Sequence, residues 1–250
     1  MKGIMVVVSL LFLLSCEQGS LSDNKETRDS EAITVSVNKK DSNETVYTAE
    51  NVPEKMTVQE KKKRFKYLLV PAVKKVFSEL KQQHQDIERS IKAGNDRLLI
   101  KQLKVEYKAE SDEDLLARLK PHPVSIVLAQ AAMESAWATS RFFVEAKNIF
   151  GVWSFDKDEP RIAAAEKRGK KTIWLKKYKS IEDAIRDNYR VLARGNAFSK
   201  FRQIRLVSDN PFELVKGLDK YSELGSKYGK ELAAVIRYNK FNQYDLKSKI

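Results

Sequence analysis

Apolar residues recur at three- and four-residue steps through Phe65, Leu68, Leu69, Ala72, Val73, Val76, Phe77 and Leu80, the spacing of one helix face. Thr57 and Glu60, three apart, precede this run as a capping box. Pro71 has no N–H to donate and predicts a kink or break within it, with a second helical stretch reaching about Ile91. Leu98 to Tyr107 reads as a further helix, and Ser111 with Asp114 opens another through Leu119. Pro121-His122-Pro123 ends that helix and begins the next, because proline suits a helix's first turn better than its interior. Residues 148–179 combine Gly151, Pro160 and Gly169 with the β-formers Thr172-Ile173-Trp174-Leu175, which predicts a small hairpin lobe. Ser180 with Asp183 starts a helix carrying Ile181, Ala184, Ile185, Tyr189, Val191 and Leu192, and segments 211–221 and 226–238 are again helical. The expected fold is mainly α, one helical domain with a small β-hairpin lobe, and no internal repeat is visible.

The helix expected over 123–138 contains LAQAAMESAW, residues 128–137. At 100° per residue, Val124, Val127, Ala131, Glu134 and Ala138 share one stripe, so Glu134 projects from the face that meets the domain. Burial and the negative end of the helix dipole both disfavour an anion there. A glutamic acid kept protonated in this way is suited to act as a general acid. The alternative is a buried glutamate paired with Arg141 or Lys147. Trp137, Phe142, Phe143, Phe150, Trp153 and Phe155 crowd the residues that follow. Aromatic faces at a concave site suit stacking on sugar rings, although Phe142 and Phe143 read as ordinary core.

The first residues change the cellular setting. MKGIMVVVSLLFLLSC has a positive Lys2 and an apolar run from Ile4 to Leu14, the form of a secretory signal. The run falls short of the roughly 20 residues that span a bilayer. Leu-Leu-Ser-Cys fits a bacterial lipobox, so 1–15 is expected to be a lipoprotein-type signal peptide and Cys16 the lipidated residue; the alternative is a free thiol near the end of an uncleaved leader. Cys16 is the chain's one cysteine, so no intrachain disulfide is available. Residues 16–56 are rich in Ser, Asn, Asp, Glu, Lys and Thr, too poor in apolar area to offset their ordering entropy, and read as a flexible tether. The folded domain is expected over 57–250.

The formal net charge is +13, which draws a protein toward polyanions. An exported lipoprotein rarely meets nucleic acid, so the expected partners are envelope material: the membrane, reached through the lipid anchor, and the cell wall. The expected location is the membrane-anchored face of the cell envelope.

PVSIVLAQAAMESAWATSRFFVEAKNIFGVWSF resembles the core signature of bacterial glucosaminidases of the Bax type, related to autolysin-like glycoside hydrolases. FKYLLVPAVKKVF upstream, and LKKYKSIEDAIRDNY and YSELGSKYGKEL downstream, resemble further segments of that family, so the likeness spans roughly residues 60–245. The resemblance implies a lysozyme-like fold and cleavage of β-1,4 bonds at N-acetylglucosamine in peptidoglycan glycan strands. It puts Glu134 at the general-acid position. It offers Glu166 as a second carboxylate, with Asp156, Asp158 and Glu159 as rivals and a solvated surface charge as the alternative reading. It pairs Tyr221, placed beside the acid, with Tyr228, and puts Trp137, Phe150, Trp153 and Tyr228 among the substrate-binding residues. A lytic transglycosylase and a non-catalytic wall-binding lipoprotein are the competing functions. The basic run KRGKKTIWLKKYK, 167–179, is a solvated face or a contact for anionic wall or lipid groups. No cofactor is implied. No metal site is expected, because His84 and His122 lie in no ligand spacing; His84 reads as exposed, and His122 as merely preceding a helix.

Overall fold

The computed structural model describes residues 46–168 and 171–245, leaving the side chains of 165–168 and 171 undescribed. The signal peptide, Cys16 and most of the expected tether therefore lie outside the described residues, as does the side chain of Glu166. Nine α-helices and one two-stranded antiparallel sheet are present among the described residues. None of these helices is long and apolar enough to cross a membrane.

Helix α1, Val58–Ala93, is capped as its sequence predicts: Thr57 Oγ1 accepts from Glu60 N at 3.2 Å, and Glu60 Oε2 accepts from Thr57 N at 2.8 Å. It does not break at Pro71, which sits exposed inside one continuous helix. Phe65, Leu69, Ala72, Val73 and Val76 are all buried along its inner face. Their burial, about 1.5–3 kcal/mol for each large side chain, outweighs the single ladder bond that proline withholds. Helices α2, Arg97–Tyr107, and α3, Asp112–Leu119, pack on the far half of α1 around Ile87, Leu103 and Leu115.

Helix α4, Val124–Glu134, is buried from Val124 to Ala132 on every side. A helix that is apolar all round belongs at the centre of a domain. α4 packs on α1 and on α9, Ser226–Tyr238. Its first turn is closed from the other end of the chain, where the Asp245 carboxylate accepts from Ser125 N at 2.8 Å and from Ser125 Oγ at 2.7 Å. The short helix α5, Arg141–Ala146, follows it.

Strands β1, Arg161–Arg168, and β2, Lys171–Lys176, form the expected hairpin, with Ile162 opposite Leu175 and an irregular stretch between Ala163 and Lys167. Asn148 fastens this lobe to the helices. Its amide nitrogen donates to Val152 O and Lys176 O, both at 2.9 Å, and its amide oxygen accepts from Val152 N. Helix α6, Ile181–Arg194, starts at Ser180, whose hydroxyl caps Asp183 N. Helices α7, Ser199–Val207, and α8, Pro211–Leu214, lead to α9. The helix expected over 211–221 is thus one turn followed by a 3₁₀ turn at Val215–Gly217.

Residues 46–56 form no helix or strand, yet they are docked. Ala49 is buried, Glu50 pairs with Lys147 at 2.8 Å, and Tyr47 meets Tyr67 with ring centres 5.3 Å apart. The folded unit therefore reaches upstream of Thr57, into the end of the expected tether.

Candidate active site

Glu134 is the last residue of α4 and is half-buried, as is Met133 before it, while the helix from Val124 to Ala132 is enclosed. The expected helix runs to 138, but the chain turns sharply after Glu134. Ala136, Trp137 and Ala138 have φ of 51°, 64° and 61°, three successive left-handed residues without a glycine. Each costs about 1–2 kcal/mol relative to right-handed backbone, so the surroundings must hold the turn.

Ser135 does much of this. Its hydroxyl donates to Ala131 O and accepts from Ala138 N at 2.8 Å, and its carbonyl accepts from Thr139 N at 3.1 Å and Ser140 N at 3.0 Å. Arg64, fully buried on α1, donates to Ala138 O at 2.6 Å, with its remaining bonds to Thr48 O, Ala49 O and Asn51 O. The Trp137 ring is half-buried against Phe65, centroids 5.2 Å apart, and lies under the Lys62 ammonium at 5.0 Å.

Tyr228, from α9, donates its hydroxyl to Glu134 Oε1 at 3.0 Å. It comes this close because residue 229 is glycine: a Cβ there would meet Val215 O at 2.4 Å and force α9 away. Behind Tyr228 lies a file of buried polar groups. Gln130 Nε2 donates to Tyr228 Oη at 3.5 Å, Asn188 Nδ2 to Gln130 Oε1 at 3.3 Å, and Tyr221 Oη to Asn188 Oδ1 at 3.2 Å. The two tyrosine rings stack with centroids 5.0 Å apart at 15°. Burial foremost, with the Glu134 charge nearby, pushes both phenols well above their ordinary value. They stay protonated, and remain donors, throughout the neutral range.

Apart from Cys16 and the side chain of Glu166, the expected site residues have definite places. Tyr221 and Tyr228 do lie together near Glu134, but with exchanged parts: Tyr228 touches the carboxylate, and Tyr221 donates to Asn188 instead. Tyr228 is 0% exposed and Phe150 1%, so neither offers a face to a sugar ring. Phe150 belongs to the core because the Asn148 bonds draw the 148–152 loop inward. Trp153 is half-buried and bridges to Leu175 of β2, with Phe155 at 6.1 Å and itself 72% exposed. Glu166 lies on β1 within its irregular stretch, its side chain outside the described residues. Of its rivals, Asp156 and Asp158 are exposed, and Glu159 lies 3.7 Å from the Lys176 ammonium.

Sequence reading did not single out Gln130 or Asn188. The available signal was a neutral polar side chain one turn before Glu134 in an otherwise apolar helix. The two histidines also depart from expectation. His84 is half-buried, and burial pushes its imidazole below the ordinary value. His122 is fully buried, neither ring nitrogen has a hydrogen-bond partner, and burial holds it well below the ordinary value.

Solved structures similar to this chain include the catalytic domain of the autolysin Auto from Listeria monocytogenes, at 19% identity over 70% of this chain and 88% of that one, TM-score 0.43. A peptidoglycan hydrolase from Sphingomonas sp. A1 aligns at 19% identity over 53% and 84%, TM-score 0.40. The glycoside hydrolase domain of FlgJ from Salmonella typhimurium, in a C-terminally truncated form, aligns at 20% identity over 55% and 97%, TM-score 0.38. No curated protein matches the chain. The glucosaminidase family, described as mannosyl-glycoprotein endo-β-N-acetylglucosaminidase, matches residues 109–241, more than half of the 250. That span takes in every group from Gln130 to Tyr228 gathered around Glu134, and the chain belongs to this family of glycoside hydrolases.

Proposed function

We propose that the protein is a peptidoglycan hydrolase of the Bax type, cleaving β-1,4 bonds at N-acetylglucosamine with Glu134 as general acid. The observation that carries this reading is the Glu134 carboxylate at the exposed end of an enclosed helix, held through one oxygen by the Tyr228 hydroxyl at 3.0 Å. A general acid must hand a proton to the departing glycosidic oxygen, so its carboxyl must be held in place while part of it still reaches solvent. Such proton transfer contributes about 10² to 10⁴ in rate. The family's glucosaminidase chemistry supports this reading.

Glu166, on β1 of the hairpin lobe, is proposed as the second carboxylate. A distant second carboxylate activates water and inverts the anomeric centre; without one, the substrate's own acetamido group serves as nucleophile and configuration is retained. Trp153 and the exposed Phe155 are the aromatic faces on that lobe proposed to bear on the glycan. Cys16 is proposed to carry the lipid that holds the enzyme at the cell envelope, on the strength of the lipobox-like Leu-Leu-Ser-Cys.

Digestion of purified peptidoglycan by the full chain and by Glu134→Gln, with mass spectrometry of the products, tests the assignment. Reducing N-acetylglucosamine ends from the wild type and almost none from the variant are expected. Anhydromuramic ends make the protein a lytic transglycosylase instead, and equal clearing by both proteins, or by neither, defeats the catalytic assignment.

A further inference from the structure

Four hydrogen bonds link five side chains in one file, Tyr221 to Asn188 to Gln130 to Tyr228 to Glu134. Every donor points the same way, toward the carboxylate. The ends of the file account for this direction. An ionised carboxylate only accepts, so Tyr228 must donate to it; the Tyr228 oxygen then takes the Gln130 N–H, and the Gln130 carbonyl takes the Asn188 N–H. The Asn188 carbonyl is left to accept from the Tyr221 hydroxyl. Reversal requires two buried amides to rotate together and leaves the Tyr221 proton without its acceptor. Gln130 and Asn188 are 0% and 1% exposed, so water does not freely replace either partner.

We propose that Gln130 and Asn188 are positioning residues that hold the Tyr228 hydroxyl as a donor on Glu134 Oε1, so that the carboxylate meets its substrate with that bond in place. This rests on the reading of Glu134 as the general acid. Gln130 acts through Tyr228, and Asn188 through Gln130. Gln130 and Glu134 stand one turn apart on α4, so the residue that sets the direction and the residue that receives it share one face. Asn188 is contributed by α6, Tyr221 by the loop before α9 and Tyr228 by α9, so the bond received by Glu134 depends on elements well outside α4.

The consequence differs from that of a packing residue. A carboxylate that loses a donor holds its proton more tightly, so weakening the file moves the alkaline limb of the pH–rate profile upward. A packing defect lowers the rate at every pH alike. The test is the pH dependence of kcat/KM on solubilised peptidoglycan for the full-length wild type, Glu134→Gln, Gln130→Met, Asn188→Leu, Tyr228→Phe and the Tyr228→Phe/Gln130→Met pair, with folding followed by thermal melting.

Gln130→Met is expected to move the alkaline limb up by about half a pH unit, the equivalent of one hydrogen bond between neutral groups, with KM unchanged. Tyr228→Phe moves it at least as far, and adding Gln130→Met to Tyr228→Phe moves it no further, since the two act in series. Asn188→Leu shifts it the same way by less, and carries the test if Gln130→Met does not fold. An unmoved limb with uniformly lowered rate, or a further shift in the double variant, overturns the proposal. Full activity of Glu134→Gln defeats the general-acid reading instead, so the two failures are told apart.

Discussion

The two ends of α4 each hold an ionisable side chain, His122 two residues before its first turn and Glu134 as its last residue, and the fold treats them in opposite ways. His122 is sealed between Tyr189 and Phe201, ring centres 4.3 and 5.3 Å away, with both nitrogens unpartnered and the Arg205 guanidinium adding to the burial that keeps it neutral. Glu134 is half-open and receives a bond that three further residues stand behind. A buried titratable group by itself therefore does not mark a site. Partners that orient it, together with access to solvent, do.

The largest effect should come from exchanging the two ends. Glu134→Gln is expected to cost about 10² to 10⁴ in kcat with an unchanged melting temperature. His122→Phe leaves kcat untouched, which reducing-end assays on both variants would show. A large loss in the histidine variant erases the contrast.

Ser135→Ala comes next. It removes the hydroxyl that bridges Ala131 O and Ala138 N, leaving a buried amide unsatisfied at about 1–3 kcal/mol and loosening the left-handed turn. Denaturant titration should show that destabilisation, and the rate should fall with it because Glu134 is the residue immediately before. A stability loss with no change in rate means that the turn and the carboxylate are independent.

Acid provides a smaller effect at the other end. The His122 pKa lies well below that of an unfolded histidine, about 6.5, so the folded protein binds fewer protons than the unfolded one below that pH. Stability is complete above about 6.5 and falls as pH drops, by up to about 1.4 kcal/mol for each unit. The half-buried His84, also pushed down, adds in the same direction. His122→Phe should flatten most of the slope between pH 6.5 and 5 in melting experiments. An unchanged slope places the acid sensitivity elsewhere.

Alkali gives the smallest effect. Tyr221 and Tyr228 are raised in the fold, so the stability their neutral forms contribute is intact below about 10 and is lost as pH rises past it. Activity should accordingly show no tyrosine ionisation between pH 5 and 9, and Tyr228→Phe should lessen the loss of stability above 10.

Much of this was legible in the sequence, for local reasons. The cap residues Thr57, Ser111 and Ser180 open α1, α3 and α6 where their spacing indicates, because a side chain three residues from its target amide is a local interaction. Glu134 was conspicuous because a charge in an apolar helix needs an explanation. What the sequence hid depends on residues far apart in the chain. Pro71 is tolerated because α1's inner face is buried, and α4 stops at 134 because Ser135 and Arg64 hold a turn that no propensity favours. Phe150 turns inward because Asn148 is tied to β2. Gln130 and Asn188 are 58 residues apart, and nothing in either segment announces that the two amides meet.

Arg64 carries a practical lesson about where this enzyme starts. Three of its four acceptors, the carbonyls of Thr48, Ala49 and Asn51, come from the strand of chain ahead of the first helix, and the fourth is Ala138 in the bend just past the acid. A protein cut back to the α1 cap would strip most partners from a deeply enclosed cation that also braces the turn after Glu134. A shortened chain that keeps these acceptors must include Thr48, nine positions ahead of the α1 cap at Thr57.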